Sequence, residues 1–418
     1  MNKLYPRILI ALYHSWIDTS SGAAISLRET MKSLAARGWS VRVLCGPLLD
    51  FGYRKTCEQI LDEQKIVFRE FVLQHSRRAT SPGETDTSKS PGDRLLLFHD
   101  GPVPVAQYLP FEKNIHQQPP DAETGSIWLK LYQEQLNTWK PDIVLTYGGY
   151  SLCTPTLQIA KTHGIRTVFY LCNFAYTDAS LFHDVSATIT ASQYHAEAYR
   201  HTLGIESIPI YPLIRKSGVL PSESEPADKK YVTFVNPIPH KGVFIFAKIA
   251  EILSRERPDI PLLIVEGRAG VPSKLFDTKN NHIFRMRNTP CPADYYRVTR
   301  ILLVPSLWQE SFGRVAAEAM MCGIPVLASN RGSLPEVVGD DGFLFDIPPE
   351  YTPESRKYPT EDEVRPWTET LIRLWDDPVE YTKFSERALH HAQCWDESRI
   401  MDQIEQLFRS LLLYQTHR

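Results

Sequence analysis

The sequence lacks the features that announce several large classes of protein. It has seven cysteines in 418 residues, an odd number, scattered and without a Cys-x-x-Cys pair. That excludes a disulfide framework and a thiolate zinc site, and leaves reduced thiols, most of them core residues of a cytoplasmic protein. No apolar run reaches the roughly 18 residues needed to span a bilayer, so no transmembrane segment is expected. The opening MNKLYPRILIALYH has only a short apolar run and no small-residue cleavage site, and reads as a first buried strand rather than a leader. Net charge is −3, and no basic run or RNA-binding signature is present, so no nucleic-acid partner is expected. There is no Asp-x-Asp to carry a metal-bound diphosphate, no GxxxxGK[ST], no HExxH, no GxSxG, and no GxGxxG after the first strand. Neither a metal nor another cofactor is therefore expected. A phosphate-bearing ligand has to be held by Lys, Arg and helix N-termini instead.

What is present is alternation. A chain of 418 residues exceeds one ordinary core, so two domains are the expectation. Strands are predicted at Arg7–Tyr13, Val41–Cys45, Val67–Val72, Ile143–Tyr147, Thr167–Leu171 and Ala187–Thr190. Helices are predicted at Ala23–Arg37, Leu48–Gln64, Ile127–Trp139, Thr154–His163 and Gln193–Leu203. His75–Arg94 has no apolar period and reads as a mobile loop, and Gly101–Pro120 as Pro-rich and irregular. Lys216–Lys230 is polar and reads as a linker. A second alternation starts at Tyr231–Val235, with helices at Phe244–Ser254 and Ala293–Thr299. The fold class is α/β: two Rossmann-like doubly wound domains facing a cleft. The division is 1–213, a linker at 214–230, 231–367, and C-terminal helices at 368–418.

The most informative stretch is Ile301–Phe345. It reads as strand, loop, helix, strand, turn and helix start, placing two helix N-termini on one carboxyl edge of a sheet. That edge is where open α/β sheets bind ligands, and helix N-termini favour phosphate. Glu310 and Glu318 stand eight residues apart, roughly 12 Å along a helix. Paired glycosidase carboxyls lie about 5–9.5 Å apart, so the two suit opposite ends of one elongated ligand better than a hydrolytic pair. A carboxylate accepts two neighbouring hydroxyls, as on a sugar or ribose; the plainer alternative is that Glu310 caps the helix and Glu318 is exposed. Ser311-Phe312-Gly313 lies at the loop-to-helix junction, where backbone N–H groups are free to donate. Lys241-Gly242 and Arg268 put two cations on the same edge. Ser21-Gly22-Ala23 begins the first helix; it can admit a phosphate, or Ser21 simply caps. His14 and Asn173 end strands on the first sheet and are candidate acceptor contacts. His183-Asp184 is either an acid–base pair or a helix-end feature.

These residues resemble the donor-site signature of the retaining GT-B glycosyltransferases of family four (group 1). The matching elements are Pro305-Ser306, Glu310-Ser311-Phe312-Gly313, Glu318-Ala319, Gly323-Ile324-Pro325-Val326 and Gly332 through Pro335-Glu336. Lys241-Gly242 is similar to that family's phosphate-binding Lys-Gly, and Ser21-Gly22-Ala23 to its glycine-rich first loop. The resemblance implies transfer of a hexosyl group from a UDP- or GDP-sugar, with retention and without a metal. The acceptor would be a small molecule, an oligosaccharide or a lipid-linked one. By the same resemblance Glu310 binds sugar hydroxyls, Phe312 and Gly313 offer backbone amides, and Glu318 holds the ribose. Lys241 holds the diphosphate, and Gly22 or Ala23 closes over it. Two departures stand out. Asn236-Pro237 replaces the family's Gly-Arg, leaving Arg268, Arg314 or Arg331 to supply the second cation. Cys172-Asn173 stands where many members have a His. A sugar-nucleotide epimerase on the same fold, or a non-catalytic nucleotide-sugar binder, would share most of these residues.

Overall fold

A computed structural model describes residues 6–19, 21–50, 55–73, 92–111, 115–148, 151–222, 227–267 and 282–413. In chain order the first half runs β1 (Arg7–His14), α1 (Gly22–Ala36), β2 (Ser40–Leu48), α2 (Cys57–Glu63), β3 (Phe68–Val72), β4 (Arg94–Asp100) and β5 (Val103–Leu109). It continues with α3 (Ala122–Trp139), β6 (Ile143–Thr146), α4 (Cys153–Thr162), β7 (Arg166–Leu171), β8 (Ala187–Thr190), α5 (Gln193–Leu203) and β9 (Ile208–Pro209). The second half holds α6 (Lys216–Val219), β10 (Tyr231–Val235), α7 (Val243–Glu256), β11 (Leu262–Val265), β12 (Ile283–Met286), α8 (Ala293–Tyr296) and β13 (Thr299–Val304). After these come α9 (Arg314–Met321), β14 (Val326–Ser329), α10 (Leu334–Val338), β15 (Phe343–Phe345), α11 (Glu361–Asp376), α12 (Pro378–His391) and α13 (Glu397–Leu413).

Among the described residues the strands form two sheets, ordered β3-β4-β5-β2-β1-β6-β7-β8-β9 and β12-β11-β10-β13-β14-β15. In each, strand order reverses beside the first strand: β1 lies between β2 and β6, and β10 between β11 and β13. Those are the switch points where ligands enter α/β sheets. The second sheet is parallel throughout, and its strands Val232–Val235, Leu262–Val265 and Ile301–Leu303 are nearly all buried. Burial on both faces explains why they read as continuous apolar runs rather than alternating ones.

The first sheet departs from the predicted pattern at one edge. β4 is antiparallel to both β3 and β5, so the region expected to be irregular after Gly101 contains a strand. Its signal is Gly101-Pro102: a two-residue connection, Gly101 at φ +60°, between apolar runs, which marks a hairpin. Pro104 sits within β5, but pairing with β2 begins one residue later, Val43 opposite Val105, so its missing N–H leaves no gap in that ladder. The predicted helix Leu48–Gln64 shrinks to Cys57–Glu63, started by a Thr56/Gln59 capping box, while β2 runs on to Leu48. The helix predicted at Ala293–Thr299 stops at Tyr296, because Thr299 already belongs to β13. Of the predicted loop His75–Arg94, residues 75–91 lie outside the described residues, and Arg94 opens β4. The predicted linker contains the short α6.

α1 is buried on two faces. Leu27, Met31 and Leu34 pack inward, and Ser26, Thr30 and Ser33 are buried as well. The second face meets α13, whose Ile400, Met401, Ile404, Leu407 and Phe408 are buried. The Phe408 ring meets Trp39 edge-on at 5.9 Å, Arg37 pairs with Asp402 and Glu405, and Ser33 bonds Glu397. Five buried apolar side chains on α13, at about 1.5–3 kcal/mol each, outweigh these partly exposed ion pairs. Among the described residues no helix is long and apolar enough to cross a membrane.

Candidate functional site

The site assembles where the loops after β10, β13 and β14 meet. β10 ends at Val235, and Asn236 follows in the left-handed region at φ +61°. A tight turn, Pro239–Lys241, leads through Gly242 at φ +81° into α7. A Cβ on Gly242 would lie 1.8 Å from the Pro305 carbonyl oxygen, so only glycine lets the two loops lie this close. The His240 carbonyl accepts from the backbone N–H groups of Leu307 and Trp308 at 2.9 and 3.0 Å. Its ring stacks on Trp308 at 5.6 Å. The loop contact aims Lys241 at Glu310: Nζ donates to Oε1 at 2.5 Å, and Ser306 Oγ donates to the same oxygen at 2.8 Å.

Glu310 is held from behind by the turn after β14. Its carbonyl accepts from Ser333 N–H at 2.9 Å and Ser333 Oγ at 2.8 Å. Gly332 packs so closely that a Cβ there would meet the Glu310 nitrogen at 2.4 Å. The expected cation and the expected sugar-binding acid are thus neighbours, and each is the other's partner.

Phe312 is buried between Tyr211 (5.6 Å) and Trp395 (6.1 Å). Gly313 has φ +90°, and the space over its α-carbon is filled by Leu334, 2.7 Å from a built Cβ. Its glycine is therefore required by the protein's own packing. α9 starts at Arg314 without a side-chain cap, leaving its first N–H groups for other acceptors.

Arg314 and Glu318 sit deeper than an exposed helix face. Glu318 is 3% exposed; Arg314 Nε donates to Oε1 at 2.6 Å and the Tyr296 hydroxyl to Oε2 at 3.0 Å. Each carboxylate oxygen keeps one further lone pair. Arg314 Nη1 also donates to Ser26 Oγ at 2.9 Å and to the Leu213 carbonyl at 3.2 Å. That contact brings the start of α1 to the start of α9. Gly22 is exposed with nothing within 4 Å of a built Cβ, and Ala23 is half-buried beside it. Ser21, the alternative cap, makes no side-chain capping bond.

Of the three candidate cations for the Asn236-Pro237 departure, Arg331 is committed elsewhere. It donates to the carbonyls of Leu307, Tyr351, Ile347 and Pro348. Arg314 is occupied as just described, and Arg268 lies outside the described residues. Among the described residues no group of three His, Cys, Asp or Glu is placed to hold a metal.

On the first sheet, His14 stacks on Tyr147 at 5.1 Å, and burial against the opposing charges of Asp50 and Asp18 pushes its pKa down to about 4. The Asn173 amide oxygen accepts from Ala175 N–H at 3.0 Å, and its carbonyl accepts from His195 Nε2 at 3.1 Å and the Tyr199 hydroxyl at 2.9 Å. Ser311 Oγ donates to the Cys172 carbonyl at 2.8 Å, and Ser192 Oγ donates to the Ser311 carbonyl at 2.7 Å. Thus Ser311 is tied to the segment Cys172-Asn173 across the cleft. His183 is 79% exposed and shares Asp184 with Lys161, an exposed charge cluster rather than an acid–base pair in the cleft.

Ser192 and His195 are site residues that the sequence did not single out, and Glu336 stood only within the Gly332–Glu336 resemblance, without a role. Ser192 had the one available signal, as a helix-capping serine. His195 is fully buried, and burial, against the Asn173 carbonyl bond, pushes its pKa down to about 4. A folded pKa below the ordinary value of about 6.5 means the unfolded chain binds the proton more readily. The stabilisation is present above pH 6.5 and is lost as pH falls toward 4. The expected cost at pH 5 is about 2 kcal/mol relative to pH 7. Urea midpoints across that range should fall less steeply in His195→Gln than in the parent; identical slopes would refute the assignment.

The model for "Glycosyl transferases group 1" matches residues 220–353, the segment that holds Lys241 through Glu336. A D-inositol 3-phosphate glycosyltransferase from Arthrobacter sp. is 30% identical over 181 residues, 40% of this chain and 39% of that protein. The enzyme of the same name from Thermobispora bispora is 31% identical over 186 residues, 40% of each chain. The chain therefore spans about two fifths of the length of the curated relatives it matches. Solved structures extend the likeness to the whole chain. Sucrose-phosphate synthase from Thermosynechococcus elongatus gives a TM-score of 0.67 at 17% identity, covering 98% of this chain and 100% of that one. Anabaena HepE in complex with UDP and glucose gives 0.63 at 19%, covering 96% and 99%. The catalytic domain of starch synthase IV from Arabidopsis thaliana, bound to ADP and acarbose, gives 0.67 at 14%, covering 98% and 99%.

Proposed function

From a chain that carries a group 1 glycosyl transferase domain on a GT-B fold, we propose a hexosyltransferase that uses a nucleotide-sugar donor. The observation that carries the reading is the Lys241–Glu310 contact beside the uncapped start of α9. A nucleotide sugar has an anionic diphosphate next to a polyol, and this pair offers a cation next to an anion at hydrogen-bonding distance.

The chemistry needed is mostly electrostatic. As the glycosidic bond breaks, negative charge grows on the leaving phosphate oxygen. Lys241 and the N–H groups at the starts of α9 and α1 supply fixed positive charge there. Glu310, freed from Lys241, takes sugar hydroxyls and fixes the ring against the acceptor. Glu318 holds the ribose through its remaining lone pairs, positioned by Arg314 and Tyr296. Transfer proceeds with retention: the leaving phosphate oxygen accepts the acceptor proton on the same face of the sugar, so no strong protein base is required. The donor is a UDP- or GDP-hexose and no metal takes part. The acceptor is a small molecule or oligosaccharide bound near His14 and Asn173. A small polyol phosphate is the class suggested by the relatives' names. The reaction is assigned to the cytoplasm.

The test is release of nucleoside diphosphate from a panel of UDP- and GDP-hexoses, with and without acceptors, in EDTA. Acceptor-dependent release that persists in EDTA, with the anomeric configuration kept in the product, is the expected result. Rearrangement of the donor without acceptor would make the protein an epimerase. Donor binding without turnover over the whole acceptor panel would make it a binder. Loss of activity on chelation would overturn the metal-free mechanism.

A further inference from the structure

We infer that Glu336, on α10, is a positioning residue that ties the donor loop to the first sheet by accepting two backbone N–H groups at the start of α5. This rests on the glycosyltransferase reading for its catalytic consequence, but not for the contact itself. The Glu336 oxygens accept from Gln193 N–H and Tyr194 N–H, both at 2.9 Å. These are the first two residues of α5, whose N–H groups have no acceptor within their own helix. The carboxylate also meets the positive end of the α5 dipole. Tyr211 is nearby: burial first, and then the Glu336 charge, pushes its phenol pKa up.

The consequence for the site follows from what lies on either side of Glu336. Three residues earlier, Ser333 grips the Glu310 carbonyl with both its N–H and its hydroxyl. Gly332 lies against the same backbone, where a Cβ would meet the Glu310 nitrogen at 2.4 Å. On the opposite side, Ser192 caps α5 by accepting from His195 N–H at 3.1 Å, and the same hydroxyl donates to the Ser311 carbonyl at 2.7 Å. The start of α5 therefore holds both ends of one short unit: Ser311 through Ser192, and α10 through Glu336. Glu310 adjoins both ends: it precedes Ser311 in the chain, and Ser333, beside α10, holds its carbonyl. Releasing Glu336 frees the turn that fixes the sugar-binding carboxylate without altering the carboxylate itself.

Hydrogen exchange tests the contact directly. Because the Gln193 and Tyr194 amides have no intrahelical acceptor, their protection reports Glu336. Exchange there should be at least about tenfold faster in Glu336→Gln, and the segment 310–314 should lose protection with it. Gln193→Pro is the second variant. Proline is favoured at the first position of a helix, and Ser192 is already extended, at φ −161° and ψ 164°, so α5 stays intact while one donor is lost. Both variants should lower kcat about tenfold per mole of folded protein, with the donor KM changed less than about threefold. Unprotected Gln193 and Tyr194 amides in the parent would overturn the contact. Unchanged kcat in both variants, or equal losses in kcat and in donor affinity, would overturn the positioning role. If the parent turns over no nucleotide sugar, the exchange measurement still decides the contact, and the functional reading fails alone.

Discussion

Lys241→Ala is expected to lower nucleotide-sugar turnover about 100- to 1,000-fold, the usual cost of removing one preorganised donor from developing negative charge. Glu310→Gln should lower turnover by a similar factor, but with the opposite effect on product affinity. In the free protein Glu310 occupies Lys241 at 2.5 Å, so a diphosphate has to displace a carboxylate before it can use the ammonium. A glutamine at 310 removes that competition. Free UDP or GDP should then bind at least as tightly as to the parent, while it binds at least about tenfold more weakly to Lys241→Ala. Titration calorimetry with the bare nucleoside diphosphate, beside steady-state turnover, separates the two. Weaker diphosphate binding to Glu310→Gln would show that Lys241 and Glu310 do not compete in this way, and unchanged turnover in both variants would remove them from the reaction.

Gly242→Ala should be the most damaging single-atom change at the site. The methyl would lie 1.8 Å from the Pro305 oxygen and 2.7 Å from the Pro305 carbon, at a backbone φ of +81°. The obstruction is backbone from a neighbouring strand end, so no side-chain rotation relieves it. A destabilisation of more than about 4 kcal/mol is expected, read as a collapsed urea midpoint or as failure to accumulate folded protein. Gly204→Ala is the control. Its φ is +67°, but nothing lies within 4 Å, so only left-handed strain of about 1 kcal/mol applies. Equal effects at the two positions would mean that the loop contact is softer than its geometry implies.

How much of this was legible in the residues depended on range. The central strands of the second sheet were readable because they are short, buried on both faces and bounded by glycine and proline. Lys241, Gly242, Glu310 and Gly313 were readable because each sits at a junction that the alternation of strand and helix already marked. The hairpin β4–β5 was missed because Pro102, Pro104 and Pro110 argue locally for irregular chain, whereas the Gly101 turn and the β2 edge beside it favour pairing. Glu336 had no assigned role for a different reason. An acid in the first turn of a helix is ordinarily a partner for its own helix dipole. Here it serves α5, more than 130 residues away in sequence. Glu318 likewise has the spacing of a surface residue on α9, and nothing local reveals that Tyr296 covers it.

The burial of α1 on two faces sets how the cleft can open. Near its start the helix meets the second sheet's side through Ser26 and Arg314. Near its end, Ser33 and Arg37 are fastened to α13. The main chain passes between the two sheets' halves between β9 and β10 and again between α12 and α13. Val219, on the first passage, contacts Cys322, and Arg215 on it bonds Ser33. Both passages therefore gather around the Arg37 end of α1. A separation of the halves that keeps both passages in place has to break the bonds at Ser26, Cys172 and Gln193.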